Sequence, residues 1–270
     1  LREWNDWIDS VWNFDDPAES EARFATIIDL ARTQQARALG LQRRFDAGHE
    51  LLDQIEAQDS IVLARCALER GRLYRSSGDP AASIPLFQLA IEHAKASGDD
   101  ALTIDALHML AIVSSADQGL QWNGDAIALA ESSDQSRAKR WLGSLLNNMG
   151  WTLHDLGRFE EALSHFQRAE QFFAHEPQGS KHRIARWTVG RCLRSLQRHQ
   201  EALAIHDQLM ADGHEEGYLF EEIGENALAL GQKERAVESF HRAYQLLKSD
   251  DWFARHESDR LERLRKLGQP

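Results

Sequence analysis

The sequence predicts an all-α fold, a solenoid of about six stacked helical hairpins, and three observations carry that prediction. Gly150 interrupts an apolar helical pattern and is followed by Gly157, Ala162, Phe166 and Ala169. The same residues return in register at Gly224, Gly231, Ala236, Phe240 and Ala243. Weaker copies stand at Gly71, Tyr74, Gly78, Ser83, Phe87 and Ala90, and at Gly190, Leu193, Ala202 and His206. With Ala36 and Ala111 as the small residues of two further copies, the intervals are 35, 40, 39, 40 and 34 residues. Periods of that length mark one supersecondary unit stacked into an elongated array. A glycine inside a helix costs up to about 1 kcal/mol relative to alanine. Its return at a fixed place predicts the close approach of another backbone, with Phe166 and Phe240 filling the space beside it.

The chain has 270 residues, 42% hydrophobic and 27% charged, with eight tryptophans and only five prolines. Such a composition buries a large core rather than staying disordered. A formal charge of −12 argues against a general binder of nucleic acid or membrane surfaces, which needs a basic footprint to release phosphate counterions. No apolar run approaches the length of a membrane span, and the opening LREWNDWIDS lacks a signal-peptide pattern. The cytoplasm is the expected compartment. Cys66 and Cys192 stand 126 residues apart without CxxC spacing, and both read as buried structural thiols.

In chain order, Trp4, Trp7, Ile8, Val11 and Trp12 share one face of a capping helix within residues 1–16. Asp16, Pro17 and Glu19 are the N-cap, first residue and acidic first turn of a long helix reaching about Leu39. LQRRFDAGHELLDQIEA supplies its partner, an eroded copy around Ala36, Gly48, Leu52 and Ile55. Repeats are expected over residues 17–250. In the third hairpin, SSADQGLQWNGDAIALAESSDQS reads as a stretched connection with Trp122 in or beside it. In HEPQGSKHR, Pro177 and Gly179 are expected to end one helix and Ser180 to cap the next. Residues 251–270 read as one capping helix, with Trp252, Phe253, Leu261, Leu264 and Leu267 apolar and a charged, solvent-facing remainder. Residues 1–270 together are expected to form a single domain.

These residues make the chain resemble the tetratricopeptide repeat family, whose pattern runs W-x2-L-G-x2-Y, then A-x3-F, then P. Here it reads Leu146-x2-Met149-Gly150-x2-Leu153 with Ala162-x3-Phe166, and Phe220-x2-Ile223-Gly224-x2-Ala227 with Ala236-x3-Phe240. The resemblance is strong over 143–250, fair over 64–97, and weak over 29–62 and 104–133. The chain departs from the pattern in its spacings of 39 and 40, and in Arg70 and Arg186 at usually apolar places. What the resemblance implies is a right-handed superhelix whose concave groove, lined by the first helix of each hairpin, binds an extended or helical peptide.

A family-like groove face lies at −6, −3, +1, +4 and +5 from each small residue. It gives Arg65, Leu68, Arg72 and Arg75, then Asp105, His108 and Ile112, then Ser144, Asn147, Trp151, His154 and Asp155. Ile184, Trp187, Arg191 and Arg194 follow, and finally Tyr218, Glu221 and Glu225. The lining would run from basic through aromatic to acidic. The candidate partner-binding residues are therefore Arg72, Arg75, His108, Asn147, Trp151, His154, Trp187, Arg191 and Arg194. Tryptophan and arginine are the residue types enriched at interface hot spots, and the arginine pairs suit an acidic peptide. A subclass of the family grips a partner's C-terminal carboxylate with Lys and Asn from three consecutive first helices. Asn147 fits that set, but His108, Ile112, Ile184 and Thr188 at the equivalent places do not.

Twelve histidines form neither HxxxH nor HExxH, and phosphate-loop, GxSxG and dinucleotide signatures are absent. Glu160 and Glu161, near His154 and Asp155, read as acids at the positive end of a helix rather than as a catalytic pair. The expected function is a non-enzymatic module or scaffold, with no cofactor or metal, that binds a protein or peptide and neither nucleic acid nor membrane. The alternative is a ligand- or peptide-sensing regulatory domain of a larger signalling or transcriptional protein.

Overall fold

The structure, a computed structural model, describes residues 2–175 and 179–269, with side chains from Trp7 onward. The Trp4 side chain and Pro177 lie outside the described residues. Every regular element among the described residues is a helix. The chain divides into two compact units, Leu1–Leu145 and Leu146–Pro270.

In the first unit, α1 (Arg2–Val11) precedes three helix pairs and a short helix. The pairs are α2 (Pro17–Leu41) with α3 (Phe45–Asp53), α4 (Ser60–Ser77) with α5 (Pro80–Ala96), and α6 (Asp100–Val113) with α7 (Ala116–Ser132); α8 (Ser136–Lys139) follows. Aspartates set the helix starts. Asp16, Asp59, Asp79 and Asp99 each accept a hydrogen bond from a backbone N–H two or three residues on, which satisfies an orphan donor at the positive helix end. Pro17 and Pro80 open their helices, where the missing N–H removes no hydrogen bond.

The second unit takes α9 (Leu142–Asp155) from Leu146 on and pairs it with α10 (Phe159–Phe173). It continues with α11 (Ser180–Ser195) and α12 (His199–Ala211), then α13 (Gly217–Ala229) and α14 (Lys233–Leu247), and closes with α15 (Asp251–His256) and α16 (Ser258–Leu267). Gly179, not Ser180, is the residue capping α11, and Ser180 is the first helical residue.

One turn construction recurs inside the hairpins of both units. Gly157 takes φ +75°; its N–H donates to the His154 carbonyl, and the Arg158 N–H donates to that of Leu153. That reciprocal pair closes a helix through a left-handed residue. Gly78 and Gly231 repeat it. Arg43 and Gln197 do the same with φ 62° and 59°, although the left-handed conformation costs an L residue roughly 1–2 kcal/mol. The turn persists where the sequence has lost its glycine.

The first-helix glycines of the repeat pattern meet rings rather than backbones. A Cβ on Gly150 would stand 2.5 Å from the Phe166 ring, one on Gly71 2.5 Å from that of Phe87, and one on Gly224 2.8 Å from that of Phe240. All three rings are fully buried or nearly so. The phenylalanine itself therefore occupies the space where a side chain would be, and the expectation of backbone contact is corrected for these hairpins. It holds instead in the third, where the glycine has moved to the second helix: a Cβ on Gly119 would lie 2.9 Å from the Ala111 carbonyl oxygen.

That third hairpin differs from the sequence reading in another way. Only Ser114 and Ser115 separate α6 from α7, and Trp122 is a helical residue packed against the core around Leu102, Met109 and Leu110. The extra length follows α7, in a segment around α8 tied back by hydrogen bonds. Gln135 Nε2 donates to the Gly98 carbonyl at 2.7 Å, and Ser133 Oγ to Asp100 Oδ2 at 2.6 Å. Polar and glycine residues suggested a loop because Gly119 and Asn123 are buried helix positions chosen for size, not for turn chemistry. The closing helix is likewise two helices, broken at Glu257 with φ −122° and ψ 34°. Phe253 and Leu264 are buried as expected, whereas Trp252 is exposed and stacks on His256.

His206 takes the phenylalanine's place over Gly190 and is fully buried. Neither ring nitrogen completes a well-formed hydrogen bond among the described residues. Burial pushes its pKa down to about 4, against a weaker upward pull from the Trp187 backbone. Because the folded value lies below the unfolded value of about 6.5, the neutral ring's stabilising share is complete above pH 6.5. It is lost as pH falls toward 4, a change on the order of 3 kcal/mol. His206→Phe is expected to stabilise the protein at pH 7 and to flatten this dependence. Urea unfolding at pH 7 and 4.5 checks it, and an unchanged difference between the two pH values would refute the assignment.

Candidate functional site

Successive first helices are joined by side-chain rungs, and most of the residues read as ligand-facing are parts of them. In the first unit, Glu69 on α4 is buried. Its carboxylate receives Arg72 Nη1 at 2.5 Å and lies 3.6 Å from Arg37 Nη1 on α2. Arg72 Nη2 reaches Asp105 on α6, also at 2.5 Å. Burial raises the Glu69 pKa against the pull of Arg72 and Arg37. For Arg72, burial opposes the charge, but Asp105 and Glu69 outweigh it and the pKa is raised. Arg72 is thus a strut between helices. His108 lies beside it, 5.8 Å from the Trp141 ring, its pKa lowered by burial. Exposed Arg75 shares with them a hollow of about 330 Å³ of mixed polar and apolar lining.

In the second unit the rungs are aromatic, then ionic. The Trp151 ring stands 6.3 Å from that of Trp187 and meets Phe166 edge-on at 5.2 Å. Both indoles are half-buried. His154 Nε2 lies 2.9 Å from Ser195 Oγ, which also accepts from Arg191 Nη1 at 2.8 Å. Burial, then the Arg191 charge, lowers the His154 pKa. Arg194 grips Glu222 on α13 with two hydrogen bonds, 2.6 and 2.9 Å, and Arg191 Nε stands 3.1 Å from the same carboxylate. Burial outweighs Glu222 at Arg191, whose pKa is lowered. Farther on, Arg260 holds Glu221 with two bonds of 2.7 Å, and Arg263 pairs with Glu225. Two charges of α16 expected to face solvent therefore bind α13.

Within each unit, then, the expected basic and acidic zones are largely paired charges. Arg191 and Arg194 already hold a carboxylate, so an acidic peptide would have to displace Glu222. Asn147 is half-buried, with no donor to its Oδ1 among the described residues. Both cysteines are shielded, their pKa values pushed up to about 11 by burial, as structural thiols should be.

One feature of the second unit was only half visible in the sequence. Ile184, Trp187 and Tyr218, all on the predicted face, wall a pocket of about 280 Å³ together with Leu209 and Leu219. Arg183 and Glu216 cross its rim, joined at 3.2 Å, with His214 nearby. The lining is overwhelmingly apolar. Leu209 and Leu219 escaped notice because they carry the ordinary signal of core positions.

Residues 141–212, which hold α9 to α12, match the tetratricopeptide repeat family. The matched segment is a tetratricopeptide-repeat region, and the fold of the chain is an all-α helical repeat. Solved structures of similar repeat architecture include BtubC from P. vanneervenii, with a TM-score of 0.64 and 16% identity over 79% of this chain and 90% of that one. Aspartyl phosphate phosphatase F from Bacillus subtilis follows with 0.59 and 16% identity, over 93% of this chain and 72% of that one. A signal transduction ATPase with numerous domains from Pyrococcus horikoshii, described as having a tetratricopeptide repeat sensor, aligns with 0.62 and 12% identity over 90% of this chain and 39% of that one. At these identities the likeness concerns the tetratricopeptide repeat fold alone. No curated protein matches the sequence. Among the described residues, no helix is long and apolar enough to cross a membrane, and no His, Cys, Asp and Glu cluster has the arrangement of a metal site.

Proposed function

We propose that this helical-repeat protein is a protein-interaction module that holds a peptide segment of its partner against the first-helix face of α9 and α11. The observation that carries the reading is the Trp151 and Trp187 pair, half-exposed beside an apolar pocket in a surface whose neighbouring charges are mostly neutralised within the chain. Large amphipathic rings next to a cavity are what interface anchors are made of. With Arg191 and Arg194 engaged by Glu222, apolar contact rather than charge carries recognition, and association is only weakly salt-dependent.

Trp151→Ala supplies the test. Because the ring packs on Phe166, the variant is expected to melt a few degrees lower yet remain folded at 25 °C. A partner identified by affinity capture should then bind it roughly 30-fold more weakly or worse, as loss of a hot spot of about 2 kcal/mol implies. Equal affinity for variant and wild type would remove the α9 face from the interface.

A further inference from the structure

We infer that the aromatic face formed by α1 and the start of α2 is a second interaction surface, which receives a basic amphipathic helix of a partner protein. It lies in the first unit and does not depend on the reading of α9 and α11.

The helix expected to cap the array leaves much of its own apolar surface uncovered. Trp7, Ile8, Trp12, Phe14 and Ile28 are all exposed, Phe14 by 82%. They are not scattered. Trp12 stacks on Phe14 at 5.7 Å and meets Phe24 edge-on at 5.2 Å, and Ile28 stands one helical turn beyond Phe24. Contiguous exposed apolar surface with a polar rim marks a contact site.

The rim fixes the charge of the occupant. Residues 7–28 carry Asp9, Asp15, Asp16, Glu19 and Glu21 against a single base, Arg23. That base is engaged already: its Nη2 donates to Glu19 at 2.6 Å and its Nη1 to the Val11 carbonyl. Asp16 is the N-cap of α2. Asp9, Asp15 and Glu21 are exposed and form no ion pair among the described residues. Helix capping accounts for Asp16 and Glu19 but not for Asp9, which sits in the last turn of α1, where the helix dipole disfavours an anion. A lysine or arginine arriving there would meet both the carboxylate and the negative end of α1.

The same charges argue against two other occupants. A second copy of the chain would set acidic rim against acidic rim, and an anionic bilayer surface would repel it. Spacing favours a helix over a strand. Ring steps of 5.2 and 5.7 Å match the about 5–6 Å between side chains one turn apart on a helix, whereas same-face residues of a strand lie about 6.5 Å apart. One apolar stripe would cover the rings while flanking cations reach the acids.

The probe is a fluorescein-labelled peptide of leucine and lysine with the leucines at helical spacing, titrated into the full chain by fluorescence anisotropy beside a scrambled peptide of the same composition. The amphipathic peptide is expected to bind more tightly. Phe14→Ser with Ile28→Ser, both at exposed sites, should weaken it about 10-fold and leave the circular-dichroism melt unchanged. Asp9→Asn with Asp15→Asn should weaken it about 3-fold and flatten its salt dependence. Trp151→Ala should bind it like wild type. Equal binding of the two peptides, or binding indifferent to the Phe14 and Ile28 substitutions, would overturn the proposal. So would sedimentation of the wild type as a dimer that those substitutions abolish, or its flotation with phosphatidylcholine vesicles, since the face would then belong to a second copy or to lipid. Peptide binding lost only in Trp151→Ala would move the contact to the α9 face, overturning this surface and leaving the interaction reading standing.

Discussion

Phe166→Ala is expected to lower the unfolding free energy by about 3–5 kcal/mol, the range for truncating a fully buried ring. Gly150→Leu, made separately, is expected to cost about 1–3 kcal/mol by overpacking, because its first carbon would already meet that ring at 2.5 Å. The informative quantity is the double variant. If one ring lying on one glycine is the whole interaction, the leucine enters the volume the phenylalanine has left, and the combined loss falls short of the sum by 1 kcal/mol or more. Urea unfolding of the four proteins measures it. Strict additivity would mean that the two sites are not in contact, and the packing scheme that recurs at Gly71 with Phe87 and Gly224 with Phe240 would fall with it.

The second large effect is electrostatic. Glu222→Leu leaves the Arg191 and Arg194 guanidiniums, each about a quarter exposed, without their shared carboxylate. Removing one member of a buried ion pair typically costs 3–5 kcal/mol. Partial access to water places this case near the lower end, about 3 kcal/mol. Adding Arg194→Leu to the same variant should restore part of that loss, since it removes the charge left without a partner. A single variant within about 0.5 kcal/mol of wild type would show that the guanidiniums simply turn outward.

Local periodicity and capping chemistry were legible in the sequence because they are set by neighbours a few residues apart. Asp16, Pro17 and Glu19 start a helix by rules that need no tertiary context, and Gly150 with Phe166 repeats at a fixed separation. The third hairpin was misread because Gly119 and Asn123 are loop-forming types used here as small or fitted residues in a buried helix face. Only the packing against Ala111 reveals that use. Face assignment located Trp151, Trp187 and Ile184 near the pocket, yet it treated Arg72, Arg191 and Arg194 as surface charges. Their partners, Glu69, Asp105 and Glu222, lie on neighbouring turns or on the following first helix. A one-dimensional pattern does not pair charges across 28 or 33 residues.

Because each ionic rung joins one first helix to the next, the hairpins are not interchangeable parts. A chain religated to omit residues 180–216 would retain Glu222 inside the protein while discarding both cations that neutralise it. Omitting α6 and α7 would likewise take Asp105 away from Arg72. A hairpin transplanted from this array keeps its ionic rung to the next first helix only when that helix comes with it. Duplication or shuffling of single repeats would leave an unbalanced ion at each junction that an ionic rung bridges until a compensating substitution arose.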